Sequence, residues 1–310
     1  MILKILRLAT RRSPLALWQA NDVARRLKLG FPEIEIEIVG LSTEGDRNRA
    51  VSLSTLGGKG VFVKELELAL LAGQADFAVH SMKDVPSILP DDLGLVAMCE
   101  RADPTDALVS NRYETLAELP AGARIGSSSL RRCLQLSAAF PNLVFEDLRG
   151  NVETRLKRLD DGDFEGIILA TAGLERLELS HRISEKIDVG TCIPSAGQGA
   201  VGIEARTDRE ELVPFIHYLN HASTHRQVSC ERWISRSLGA TCNLPVGAHA
   251  EMGVDEGNGF LQLSTFVSDL KGDRFLRVSQ KAAIDEADQL AHRVADLLID
   301  QGALELIEGP

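Results

Sequence analysis

The tightest constraint on this chain is a recurring unit: a short apolar run, a polar cluster at its end, then a helical pattern. Gly166-Ile167-Ile168-Leu169-Ala170 is continuously apolar, as in a strand covered on both faces. Phe77-Ala78-Val79-His80 is a second such run and Leu93 to Met98 a third. Glu33-Ile34-Glu35-Ile36-Glu37-Ile38-Val39 alternates with period two, which predicts a strand with one buried face. Met1 to Leu8 reads as another strand, and Leu143 to Leu148 as one more. Helical patterns cover Leu15 to Leu27, Val61 to Leu71, a stretch ending near Ala139, and Val152 to Leu159 with Asn151 as N-cap. Strands alternating with helices predict α/β domains on largely parallel sheets.

Near residue 220 the texture changes. His221 to Leu238 is helical, then Phe260 to Val267 and Arg274 to Val278 read as strands joined by a hairpin at Asp269 to Asp273. Leu290, Val294, Leu297 and Leu298 mark one face of a last helix. This predicts a separate, smaller α+β domain. At ~100–200 residues per domain, two or three domains fit the length. Ser42 to Gly60 is polar and Gly-rich, which predicts a long lid-like loop.

Lys and Arg number 34 against 45 Asp and Glu, a formal charge of −11. That argues against a general nucleic-acid binder, which needs a basic face. The charge is uneven. Residues 121–160 hold seven bases and four acids (+3), whereas residues 251–310 hold five bases and twelve acids (−7). A basic segment in an acidic protein predicts a local anion site. No apolar run approaches the ~20 residues of a membrane span. The first residues resemble neither a secretory signal nor a transit peptide. The five cysteines, Cys99, Cys133, Cys192, Cys230 and Cys242, form no CxxC pair, so neither a disulfide framework nor a metal site is expected. The cytoplasm is the expected compartment.

Six polar clusters lie where α/β sheets bind ligands, at strand ends and helix starts. Thr10-Arg11-Arg12-Ser13-Pro14 opens a helix whose amides favour an anion, with Arg11 and Ser13 as added donors. The bland alternative is a capped helix with a surface arginine. In His80-Ser81-Met82-Lys83-Asp84, Lys83 suits an anion and Asp84 suits a cation or a proton. His80 reads as an ordinary hydrogen-bonded, half-buried histidine. Gly126-Ser127-Ser128-Ser129-Leu130-Arg131-Arg132 is a dense donor array for carboxylate or phosphate. Arg149 and Arg155 flank a Gly-Asn turn into a helix, and Arg155 is equally readable as a solvated helix residue. Gly197, Gly199 and Gly202 match G-x-G-x-x-G by spacing, but Pro194 stands where the required strand would be, so this is no dinucleotide fingerprint. Cys242 sits among small residues before Pro245; a lone loop cysteine is usually inert.

Taken together, TRRSPLALWQA (10–20), GGKGVFVKELE (57–67), HSMKDVP (80–86), GSSSLRR (126–132), LRGNVETRL (148–156) and AGQGAVGIE (196–204) resemble the porphobilinogen deaminase (hydroxymethylbilane synthase) family over nearly the whole chain. The resemblance implies a transferase that joins four porphobilinogens into a linear tetrapyrrole and releases four ammonia molecules. It implies a covalent dipyrromethane cofactor, held by a thioether to Cys242, that primes the chain and stays on the enzyme. Asp84 falls on the catalytic aspartate. The cofactor is expected on Lys83, Asp84, Ser127, Ser129, Arg131, Arg132 and Arg155. Substrate is expected on Arg11, Ser13, Lys59, Arg149, Arg155, Arg176 and Gln198. The implied fold is α/β: two periplasmic-binding-protein-like domains with a hinge (1–99 with 200–217, and 100–199), plus a smaller α+β C-terminal domain (218–310). A cytoplasmic monomer without a metal, nucleic acid or membrane partner is expected. Ala240 and Thr241 replace glycines usual in the family, Asn243 replaces a common glutamine, and Thr55 a frequent lysine.

The physics of such a reaction suits these residues. Each pyrrole brings two carboxylates, so a growing chain needs Arg, Lys and Ser donors. Loss of ammonia leaves an azafulvene-like cation, which a carboxylate stabilises by about 2–4 kcal/mol. The competing reading is a non-catalytic two-domain anion-binding protein, which the same clusters would serve. A phosphate-ester enzyme is disfavoured, since no P-loop or metal-carboxylate cluster is present.

Overall fold

The computed structural model describes residues 3–43, 60, 62–241, 244–255 and 257–308. Thr55 and Lys59 of the expected lid, and Cys242 with Asn243, lie outside the described residues. In chain order the elements begin with β1 (Ile5–Arg11), α1 (Pro14–Gly30), β2 (Glu35–Leu41), α2 (Lys64–Leu71), β3 (Phe77–Ser81) and β4 (Leu93–Met98). There follow β5 (Asp106–Val109), β6 (Arg124–Gly126), α3 (Leu130–Ala139), β7 (Val144–Glu146), α4 (Val152–Asp160), β8 (Gly166–Ala170), α5 (Thr171–Arg176) and β9 (Glu185–Ile187). The remainder comprises β10 (Val201–Arg206), α6 (Val213–Leu219), α7 (Ala222–Ser237), β11 (Val246–Asp255), β12 (Asn258–Ser268), β13 (Phe275–Ala283), α8 (Ala287–Asp300) and α9 (Ala303–Glu308).

The chain divides into two compact units. The first is Met1–Ala102 with Ala200–Arg226. Its sheet has the order β2-β1-β3-β10-β4. β1 runs parallel to β2 and β3, and β10 antiparallel to β3 and β4. The apolar runs explain the layering. Leu6, Leu8, Val79 and Ile203 pack against Val23 and Leu27 of α1 and Phe215 and Leu219 of α6. Ala9 and Ala78 face the other way, onto Leu66 and Leu70 of α2. Pro14 occupies the first turn of α1, where no amide hydrogen is lost, and Ser13 caps the helix, accepting from the Ala16 amide at 3.3 Å. At Gly202, opposite His80, a Cβ would collide with the Met82 sulfur, so only glycine lets β10 lie this close.

The second unit is Asp103–Gly199 with Gln227–Pro310. Its larger sheet has the order β7-β6-β8-β5-β9, with β6 parallel to β7 and β8, and β5 antiparallel to β8 and β9. The expectation of largely parallel sheets holds with one exception in each: four strands share a direction, and β10 in the first sheet and β5 in the second run against them. A continuous apolar run reports two covered faces and is silent on strand direction, which the connections decide. The smaller antiparallel sheet is β11-β12-β13, and Leu290, Val294 and Leu298 of α8 pack on Leu261, Leu263 and Val278. β11 escaped sequence reading because Gly247, Ala248, Ala250 and Gly253 blur its alternation.

At the head of β5, Asp106 is fully buried and takes two guanidiniums of α3. Arg131 Nη2 donates to Oδ2 and Arg132 Nε to Oδ1, both at 2.8 Å. Gln198 Nε2 donates to Oδ1 at 2.9 Å. Arg131 also donates to the Ile193 carbonyl at 2.7 Å, and Arg132 to the Ile168 carbonyl at 3.1 Å. Burial pushes the Asp106 carboxyl up, but the two arginines outweigh it and hold the group well below the usual carboxylate range. Removing one member of a buried pair costs about 3–5 kcal/mol. Asp106→Asn is accordingly expected to lower the melting temperature at neutral pH, read by calorimetry. Because the folded pKa is depressed, this contribution is fully present above the unfolded value of ~3.9 and is lost as pH falls through the folded one. The melting gap between wild type and variant should hold from neutral pH down to about pH 4 and narrow only below it.

Candidate functional site

In the first unit, the C-terminal ends of β1 and β3 deliver polar side chains to one cavity of about 60 Å³. Arg11, the last residue of β1, and Ser13, the cap of α1, line it. Asp84 lines it from the single 3-10 turn Met82–Asp84 that ends β3. Gln19, Phe62, His80 and Ser81 complete its polar and aromatic wall. The Arg11 guanidinium lies over the Phe62 ring, 4.2 Å from its centroid, a cation–π contact. Gln19 Nε2 donates to Ser81 Oγ at 2.9 Å, tying α1 to β3 beside Asp84. Lys83 is half-buried in the same turn but is not part of the cavity wall.

Beneath this cavity lies a buried pair. Glu204 of β10 is diagonal to His80 on the sheet face that α2 covers, and His80 Nε2 stands 2.8 Å from Glu204 Oε2. The other carboxylate oxygen, Oε1, is buried and has no hydrogen-bond partner. Glu67 of α2 is half-buried nearby, and burial first, then Glu204, push its carboxyl above the usual range.

In the second unit the Ser-Arg array forms at the β6–α3 junction as expected, but its groups divide. Ser129 occupies the cap position of α3 without making a side-chain cap bond, and its amide donates to Ser127 Oγ at 3.3 Å. Ser127, Arg131 and Arg132 are buried, the two arginines on Asp106. Gln198 is buried in the same cluster, also donating to the Pro104 carbonyl at 2.7 Å. Gly197 and Gly199 have φ of +74° and +86°, the left-handed conformation that glycine tolerates, and the turn they make aims Gln198 inward. Arg176, closing α5, donates to the Gly199 carbonyl at 2.7 Å and so braces that turn. Arg149 is paired with Asp147 at 2.7 Å at the surface. Arg155 Nε donates to the Gly150 carbonyl at 2.8 Å across the turn into α4, whose cap is Asn151 as predicted.

Cys99, Cys192 and Cys230 are buried and Cys133 is half-buried. Burial, reinforced by Asp106, pushes the Cys192 thiol up to about 12, so it stays protonated and unreactive. Sequence reasoning missed Asp106 and the role of Glu204. The signal for each was an acid inside an apolar strand, Asp106-Ala107-Leu108-Val109 and Val201-Gly202-Ile203-Glu204-Ala205, since a buried carboxylate needs a partner. Among the described residues no helix is long and apolar enough to cross a membrane.

Two family models match the chain. "Porphobilinogen deaminase, dipyromethane cofactor binding domain" covers residues 6–214, and "Porphobilinogen deaminase, C-terminal domain" covers residues 225–300. Porphobilinogen deaminase of Chromobacterium violaceum is 50% identical over 300 residues, covering 97% of this chain and 96% of the relative. That of Laribacter hongkongensis is 46% identical over 301 residues, with the same coverages. That of Neisseria meningitidis serogroup B is 48% identical over 304 residues, covering 98% and 96%. Among solved structures, the methionine-binding protein MetQ has a TM-score of 0.45 at 15% identity, covering 74% of this chain and 95% of its own. A periplasmic substrate-binding protein of an ABC transporter from Coxiella burnetii has a TM-score of 0.45 at 14% identity, covering 71% and 94%. With family models along most of its length and relatives near half identical end to end, this chain belongs to the porphobilinogen deaminase family.

Proposed function

We propose that this chain condenses four porphobilinogen molecules, head to tail, into hydroxymethylbilane with release of four ammonia molecules. The observation that carries this reading is the grouping of Asp84 with Arg11 and Ser13 in one cavity at the strand ends. A carboxylate acceptor beside carboxylate-binding donors suits a pyrrole, which offers one N–H and carries two acidic arms. Arg11 and Ser13 take an acidic arm of the substrate. Asp84 accepts from the pyrrole N–H and stabilises the positive charge that develops as ammonia leaves, by about 2–4 kcal/mol.

The same donor set fits a dipyrromethane, which has the same arms and N–H groups. Lys83 and Asp84 in the first unit, and Ser127, Ser129 and Arg155 in the second, would hold it, with Cys242 as the thioether attachment. Arg131 and Arg132 would serve it while braced on Asp106. When bound, the group supplies a nucleophilic pyrrole carbon, so the protein needs no nucleophilic Ser or His. The burial of Cys99, Cys192 and Cys230 supports Cys242 as the attachment point. Substrate arms fall to Lys59, Arg149 and Arg155 as elongation proceeds, with Arg176 and, in the 197–199 turn, Gln198 as further donors. We further propose a cytoplasmic monomer of three domains: 1–99 with 200–217, 100–199, and 218–310.

Intact mass of the denatured protein should exceed the sequence mass by two linked pyrroles, and Cys242→Ser should match its sequence mass. A wild-type protein of bare sequence mass would favour the non-catalytic anion binder. Asp84→Asn should keep the adduct and the fold while lowering turnover by about 10²–10³-fold, followed as porphobilinogen consumption.

A further inference from the structure

His80 has a second role available to it, and Glu204 is what makes it available. Glu204 is fully buried on β10, and among the described residues the only hydrogen bond of its side chain is the one to His80. A carboxylate accepts, so the hydrogen between them belongs to His80 Nε2. In a neutral imidazole the remaining nitrogen is then an acceptor. Nδ1 has no hydrogen bond among the described residues, and His80 lines the Asp84 cavity. The ring cannot turn over without abandoning a carboxylate that has nothing else to hold. Gly202, directly opposite His80, leaves the Met82 side chain its space.

We propose that Glu204 is a positioning residue that fixes the plane and tautomer of His80, and that His80 Nδ1 thereby accepts from the aminomethyl ammonium of the incoming porphobilinogen. This rests on the reading of the cavity as the substrate site. The division of labour follows from the chemistry of the walls. Arg11 and Ser13 suit the acidic arms, Asp84 the ring N–H, and His80 the leaving group. A neutral acceptor orients an ammonium without holding it as a carboxylate would, so the amine is placed for departure yet not trapped.

The test combines ring ¹⁵N–¹H correlation spectra of the histidine-labelled holoenzyme with steady-state kinetics. The probes are porphobilinogen and an analogue bearing a methyl in place of the aminomethyl group, used as a competitive inhibitor. Wild type should show His80 with its hydrogen on Nε2 and a bare Nδ1. Glu204→Leu should scramble that pattern. His80→Phe and Glu204→Leu should each raise the KM for porphobilinogen about tenfold or more, with the inhibition constant of the analogue unmoved. Glu204→Gln, which keeps an acceptor for Nε2–H, should restore the tautomer and part of the lost affinity, and it tests the proposal should the leucine variant fail to fold. A hydrogen on Nδ1 in wild type, or equal weakening of substrate and analogue, would overturn the proposal. An unchanged ring spectrum and KM in Glu204→Leu would also do so. Wild type that consumes no porphobilinogen would instead bring down the functional reading, while the ring spectra would still decide whether Glu204 sets the tautomer.

Discussion

One buried carboxylate holds the second unit in register. Asp106 opens β5 and draws two consecutive arginines of α3, the Gln198 amide and, through the arginines, the Ile168 and Ile193 carbonyls to a single point. Two neighbouring residues on a helix normally face different directions. Arg131 and Arg132 converge because each long side chain reaches a different oxygen of the same acid. The start of α3, and with it the Ser127 to Ser129 turn, is thereby set by an interaction beneath it. Such a cluster is a costly way to fill a core unless every donor and acceptor is used. Here the carboxylate accepts from four side chains, Arg131, Arg132, Gln198 and Cys192, and two guanidiniums against one carboxylate leave the buried cluster net positive.

The first unit solves the opposite electrostatic problem. Its cavity brings a guanidinium and a carboxylate within one small volume, with a buried carboxylate and imidazole one layer down. The Arg11 guanidinium is packed over the Phe62 ring, so the cation is held against an apolar wall of the cavity. A substrate with both acidic arms and a departing amine needs both signs. Hydroxyl and amide groups, Ser13, Ser81 and Gln19, line the same cavity with donors of no net charge.

Much of this was legible in the sequence because the local signals were physical ones. The runs Phe77 to His80 and Gly166 to Ala170 are strands as read, and Asn151 caps α4 as its spacing before an amphipathic stretch required. The placing of Arg11, Ser13 and Asp84 at strand ends followed from the alternation of strands and helices. The one reversed strand in each sheet, β10 and β5, was not legible, since periodicity is the same for a strand read either way. Nor was the depth of Arg131, Arg132 and Gln198, because an arginine beside serines carries the same letters whether it points to solvent or to a buried aspartate far along the chain. His80 looked like an ordinary histidine for the same reason: its partner lies 124 residues downstream.

The place of β10, between β3 and the edge strand β4, has a consequence for how the protein is made. β3 and β4 are successive strands of the N-terminal stretch, yet they are not neighbours; Val201–Arg206 lies between them. While the ribosome is still producing the middle of the chain, the first sheet lacks the strand that joins β3 to β4, and each of these presents a bare edge. The amide of Met82, beside Lys83 and Asp84, finds its acceptor only on Ala200. Vectorial synthesis therefore cannot finish the N-terminal unit first. The segment that bears Asp84 waits as an open seam, in need of shelter from other nascent chains, until the intervening stretch Asp103–Gly199 and β10 itself have emerged.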